Sequence, residues 1–172
     1  LLLAQGENLR LAALQLAGSW KVKAVAAPLA AIAARATTST AERGAALAAL
    51  RDIGGAAAIA ELKKLADVGA PPEVRREAVV FLAGLDLNAA LPAVIAKLQA
   101  TADEVPAQSL WRGLLGIRGA SAQLASALAK TALPAAVARA GLRPAREGTQ
   151  HQALVPVLLK LAGLSVSAVQ LT

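Results

Sequence analysis

Cysteine is absent from the 172-residue chain. Its absence removes disulfides, thiolate zinc sites, iron–sulfur clusters, cysteine nucleophiles and covalent haem attachment within these residues. Methionine and tyrosine are absent as well, and the aromatic side chains come to one Phe and two Trp. Without Met, Leu1 is not a retained initiator, and "LLLAQGENLR" reads as the edge of a longer polypeptide. The hydrophobic fraction of 56% is carried mainly by Ala and Leu, a helix-forming composition short of strand-favouring aromatics. The expected fold class is all-α, and the length suits one domain with a substantial core.

Acidic side chains are scarce in one part of the chain. Residues 1–104 hold 11 basic and 10 acidic residues, whereas residues 105–172 hold 7 basic residues and only Glu147, so the net charge of +7 belongs to the C-terminal part. A cationic face attracts nucleic acid, anionic lipid or an acidic protein. The aromatic interleaving of a single-strand binder is missing. An uninterrupted apolar run is lacking too: in the most membrane-like window, "AVVFLAGLDLNAALPAVIA" (Ala78 to Ala96), Asp86 stands near the centre, followed by Asn88 and Pro92. An aspartate there costs about 2.5 to 3.5 kcal/mol on insertion scales. The window fits two soluble helices joined by a polar turn, and no transmembrane segment is expected. "LLLAQG" has neither the charged start nor the apolar length of a complete signal peptide.

The chain does contain a repeat. "LRLAAL", "ERGAAL" and "VRREAV" place Arg10, Arg43 and Arg75 at intervals of 33 and 32 residues, a spacing that signals repeat architecture. Each Arg is followed three positions later by Ala13, Ala46 or Ala78, four later by Leu14, Leu47 or Val79, and ten later by Trp20, Ile53 or Leu85. These positions form one helical stripe. Gly18, Gly54 and Gly84 are expected to close the first helices in left-handed conformation. Second helices follow, carrying Val25, Leu29 and Ile32, then Ile59, Leu62 and Leu65, then Leu91, Val94, Ile95 and Leu98. Ser39 to Glu42 has capping-box spacing, while Pro71, Pro72 and Glu73 suit a helix start. Five helix pairs are expected, over residues 7–36, 39–68, 71–101, 104–131 and 133–164. The fifth breaks at Pro144 to Gly148 before a last helix from about Thr149.

The pattern V-R-x-x-A-x-x-x-L-x-x-L in "VRREAVVFLAGL", followed by a turn and "LPAVIAKL", resembles HEAT-type repeats of the short HEAT-like class over about Glu7 to Leu164. That resemblance implies an α-solenoid of about five helix pairs in a right-handed superhelical arc. No T-P-L-H element of ankyrin repeats and no W-L-G-Y pattern of tetratricopeptide repeats occurs. One helix pair cannot bury both apolar faces alone, so each unit needs its neighbours.

Several residues are candidates for contact or chemistry. Arg10, Arg43 and Arg75, fixed ahead of the apolar stripe, are expected to bond carbonyls or acids of an adjacent unit rather than line up phosphates. Arg112, Arg118, Arg139, Arg143 and Arg146 form the best candidate binding cluster, with "PAREG" as an exposed connection. Trp20 and Trp111 align with stripe positions and are expected in the core. His151, the only histidine, is expected at the surface or in a cap. No Ser–His–Asp set is recognisable, and "RDIGGAAA" is no phosphate loop, so no catalytic residue, metal ligand or cofactor is assigned.

Function follows from resemblance more than from chemistry. The order of segments is similar to the HEAT-like region of planctomycete-type membrane-bound-dehydrogenase and c-type cytochrome proteins. This implies a non-catalytic scaffold in a larger redox polypeptide, extracytoplasmic, whose partner is protein: neighbouring domains or another subunit. The alternative is a nucleic-acid-binding protein like the HEAT-fold alkylpurine DNA glycosylases, although no Asp matches a catalytic motif. HEAT-like bilin lyases form a third class, for which no residue marks a chromophore pocket.

Overall fold

The structure is a computed structural model and describes residues 2–67 and 70–164. Among the described residues there are ten α-helices, two short 3-10 turns and no strand. The all-α class is therefore observed. The chain divides into two compact units, residues 1–86 and 87–172. The division falls inside 71–101, the segment whose periodicity reads as a third helix pair.

The first unit holds α1 (Leu2–Ser19), a 3-10 turn (Lys23–Val25), α2 (Ala26–Ala34), α3 (Thr40–Ile53), α4 (Gly55–Ala66) and α5 (Pro72–Leu85). Its helix starts follow local chemistry. Ser39 Oγ accepts the Glu42 N–H at 3.2 Å, which satisfies one of the free amides that open α3. Pro72 occupies the first turn of α5 and Glu73 adds negative charge there, where the helix dipole favours it. Gly54 ends α3 at φ 63° and Gly55 follows at φ 71°, so α4 begins with almost no connection.

Two of the expected helix ends differ. Gly18 lies inside α1, and the left-handed residue is Lys21, at φ 51°. Lys21 N–H donates to Gly18 O and Val22 N–H to Ala17 O, the paired bonds of a Schellman ending. Gly18 instead permits close approach: a methyl group there would sit 2.9 Å from Cα of Ala49 on α3. Gly84 also lies within its helix, and α5 is closed by Asp86 in extended conformation.

Packing in this unit recurs every two helices. α1 lies against α3 and α3 against α5, while α2 packs on α3 and α4 on α5. The stripe residues Ala46, Leu47 and Ile53 are buried from α3, together with Leu50, as are Leu62 and Leu65 from α4.

The second unit holds α6 (Leu87–Gln99), α7 (Glu104–Leu115), α8 (Ala120–Leu128), α9 (Ala135–Arg146), a 3-10 turn (Thr149–His151) and α10 (Val155–Leu161). α7 packs on α8 and α9, α6 on α8, and α9 on α10. Trp111 is completely buried, and its Nε1–H donates to the Val137 carbonyl at 2.9 Å. Gly141 makes room for it, since a methyl group at 141 would lie 2.7 Å from the indole Cε2. The break expected over Pro144 to Gly148 is confined to Glu147 and Gly148, and the last α-helix starts at Val155 after a 3-10 turn at Thr149. Pro144 is the tenth of twelve residues in α9 and is buried. Proline at that position lacks the N–H that would bond the Ala140 carbonyl, and α9 ends two residues later, at Arg146.

Candidate functional site

Three of the candidate arginines are brought together by α9. Arg139, Arg143 and Arg146 fall at intervals of four and three, so they share one helix face, and all are exposed. Beyond its first two residues the rest of that helix turns inward, with Val137, Ala138, Ala140, Gly141, Leu142, Pro144 and Ala145 buried. Arg143 Nε lies 3.6 Å from Glu147 Oε1.

Arg112, exposed on α7, lines a cleft of about 210 Å³ with Pro144, Glu147, Gly148, Gln150 and His151. Glu147 thus lines the same cleft as Arg112 and pairs with Arg143. Arg118 is exposed in the α7–α8 connection and joins neither group. Among the described residues no acid pairs with Arg112, Arg118, Arg139 or Arg146. Free guanidinium groups of this kind suit bidentate recognition of carboxylate or phosphate.

His151 is not at the surface. It is 6% exposed, held in the 3-10 turn with Nε2 3.2 Å from the Gln150 amide nitrogen, while Nδ1 is buried without a hydrogen-bond partner. Its spacing of three and seven from the buried Leu154 and Leu158 is the signal that sequence reading passed over. Among the described residues no three His, Asp or Glu side chains are grouped to hold a metal ion.

The register arginines sit in a different setting. Arg10 Nε donates to Glu42 Oε1 across 32 residues, joining α1 to α3. The same connection is reinforced by Ser39 Oγ donating to Glu7 Oε1 at 2.9 Å. The Arg10 hydrogen bond holds the Glu42 carboxyl below its ordinary value, helped by the Arg10 charge and the Ser39 backbone N–H, against a desolvation that raises it. Arg43 is 7% exposed. Its Nη2 donates to Thr38 O at 3.5 Å, and its Nε is buried without a partner. Its charge is also felt by Glu77, whose carboxyl is raised by burial and by Glu73 against the pull of Arg43 and Arg76. Arg75 is half-buried, with Nε likewise unpartnered.

The first unit also has an apolar opening that sequence reading did not single out. Leu9 and Trp20 are each 73% exposed and Leu16 is 47% exposed, so one side of α1 is uncovered. Trp20 is therefore not a core residue: α1 ends at Ser19 and the side chain stands in the turn. A groove of about 550 Å³ lies between α1 and α2, lined by Leu14, Ala17, Val25, Leu29 and Ile32 together with Arg10, Arg35, Thr38 and Glu42.

No helix among the described residues is long and apolar enough to cross a membrane. Comparison of the chain with family models, with curated proteins and with solved structures finds no match.

Proposed function

We propose that this chain is a non-catalytic binding and structural module, built as an α-solenoid of HEAT-like helix pairs within a larger polypeptide, and that α9 presents its binding face to an acidic protein surface. The observation that carries the reading is the exposed row Arg139, Arg143 and Arg146, backed by a buried opposite face and left largely without acidic partners. The recurrence of α1 on α3 and α3 on α5 supports the repeat part. The wholly buried Trp111 offers no ring for base stacking, which favours protein over single-stranded nucleic acid.

The test is a salt titration of binding to polyglutamate and to duplex DNA, with the intact chain and with Arg139, Arg143 and Arg146 all changed to Glu. Binding to the acidic polypeptide that is lost on charge reversal supports the reading. Preferential, steeply salt-dependent binding to duplex DNA assigns the face to nucleic acid instead. The similarity in segment order supports a place beside a c-type haem domain in an extracytoplasmic polypeptide. A C-x-x-C-H motif further along the parent reading frame is the expected observation, and its absence removes that part of the reading.

A further inference from the structure

We infer that the uncovered side of α1, together with the α1–α2 groove, is a docking surface for a helix pair of the same repeat type, seated as α1 and α2 are seated on α3 and α4. The argument is one of register. α3 meets α1 through Glu42, which takes the Arg10 hydrogen bond, and through Ala49, which lies against Gly18. Moving back by the 33 residues that separate Arg43 from Arg10, the corresponding positions on α1 are Leu9 and Leu16. Ala49 is 2% exposed, whereas Leu9 and Leu16 lie open.

The groove gives the same answer independently. Its Leu14, Ala17, Val25 and Leu29 correspond by the same shift to Leu47, Leu50, Ala58 and Leu62, all completely buried where α2 packs on α3 and α4. This face of the repeat is fully closed in α3–α4, whereas in α1–α2 Leu14 and Leu29 are 7% and 3% exposed, Ala17 and Val25 are half-buried, and the groove above them is open. The partner that fits has the surface that α1 and α2 turn toward α3 and α4: small residues where Gly18 stands, and leucine-sized groups for the groove. An uncovered apolar face of this kind marks an interaction site. At Leu9 the site departs from the repeat, because the incoming arginine finds leucine where Arg10 finds Glu42.

This inference rests on the repeat part of the proposed function and not on the arginine face of α9. It is tested by inserting a second copy of residues 7–39 directly ahead of Glu7, with Trp20 of the inserted copy changed to Phe. The receiving helix then follows Ser39, and Leu9→Glu in that helix restores both the capping box and the acid for the incoming arginine. The expected result is one added helix pair by circular dichroism and loss of iodide quenching at the receiving Trp20. The Leu9→Glu form should melt higher than the form that keeps Leu9. Undiminished quenching of Trp20 overturns the inference.

The unmodified chain supplies a second readout. It should bind a hydrophobic dye that is lost in Leu16→Glu with helicity unchanged, and failure to bind the dye also overturns the inference. A concentration-dependent dimer in which Trp20 becomes shielded assigns the surface to a second copy and overturns it as well. Charge reversal on α9 leaves every one of these readouts unchanged, so this inference and the arginine-face reading fail separately.

Discussion

Residues 1–86 and residues 87–172 hold their helices together by different means. In the first unit, α1 and α3 approach through Gly18 and Ala49, and the ends of the contact are tied by polar side chains, Arg10 to Glu42 and Ser39 to Glu7. In the second, one large ring fills the space: Trp111 lies against Gly141 and hydrogen-bonds the Val137 carbonyl. Charge divides in the same way, with ten basic and eight acidic residues in 1–86 against eight and three in 87–172. In the first unit one arginine, Arg10, is taken up by an acid on a neighbouring helix. Where apolar packing holds the helices, arginines are left for the surface.

The largest expected break in this comparison is Trp111→Ala. It should cost about 3–5 kcal/mol as a core aromatic deletion, whereas Trp20→Ala should stay within about 0.5 kcal/mol as a surface change. Urea unfolding of both variants is the measurement, and equal losses would erase the contrast between the units. Gly18→Ala comes next, at about 1–3 kcal/mol, because the new methyl group meets backbone and the helices must move apart. Its control is Gly84→Ala, where the nearest atom is 3.8 Å away and a gain of about 0.5–1 kcal/mol is expected from helix propensity.

Ser39→Ala should cost about 1 kcal/mol through the lost cap, and the loss of its bond to Glu7 falls on the same contact. Thermal melting reads it, and no loss would show that Ser39 adds nothing to the α1–α3 contact. The smallest expected effect is a pH dependence. Because folding lowers the Glu42 pKa, its contribution is complete above the ordinary carboxylate range and drains as the pH falls through the lowered value. The stability gap between the intact chain and Glu42→Gln should therefore close on acidification. Glu77, raised by burial, works in the opposite sense and loses stability as the pH rises through its raised value.

Local chemistry was legible where it alone decides the backbone. The Ser39 cap, Gly54 at positive φ and Pro72 at a helix start could be read directly, because each satisfies or frees specific backbone groups. The α3 stripe and Trp111 could be read because periodicity inside a helix fixes the buried face. Trp20 could not: its phase matches Ile53, but α1 stops one residue earlier and periodicity has no meaning beyond the last turn. Gly18 and Gly84 show the same limit, since a glycine placed for contact looks in sequence like one placed to end a helix.

In the candidate site, the row on α9 follows from spacing once the helix is known to run through Pro144. Its length was hidden because a proline near a helix end resembles a break. The burial of His151 was legible in its spacing of three and seven from Leu154 and Leu158, a phase that carries on from α10 into the 3-10 turn ahead of it. The Arg10–Glu42 bond spans 32 residues, and only the tertiary structure shows which acid lies opposite.

That bond also limits how the chain can change its length. The ties Arg10 to Glu42, Ser39 to Glu7 and Gly18 to Ala49 each join residues 31 or 32 positions apart. A single residue inserted between Arg10 and Gly18, or between Glu42 and Ala49, would turn one end of this contact by about 100° against the other, so the polar ties and the Gly18–Ala49 approach could not be kept at once. An insertion or deletion of a whole helix pair would preserve them all. Within α1 and α3 the spacing between the ties is therefore fixed, while a whole repeat can be added or removed without disturbing them.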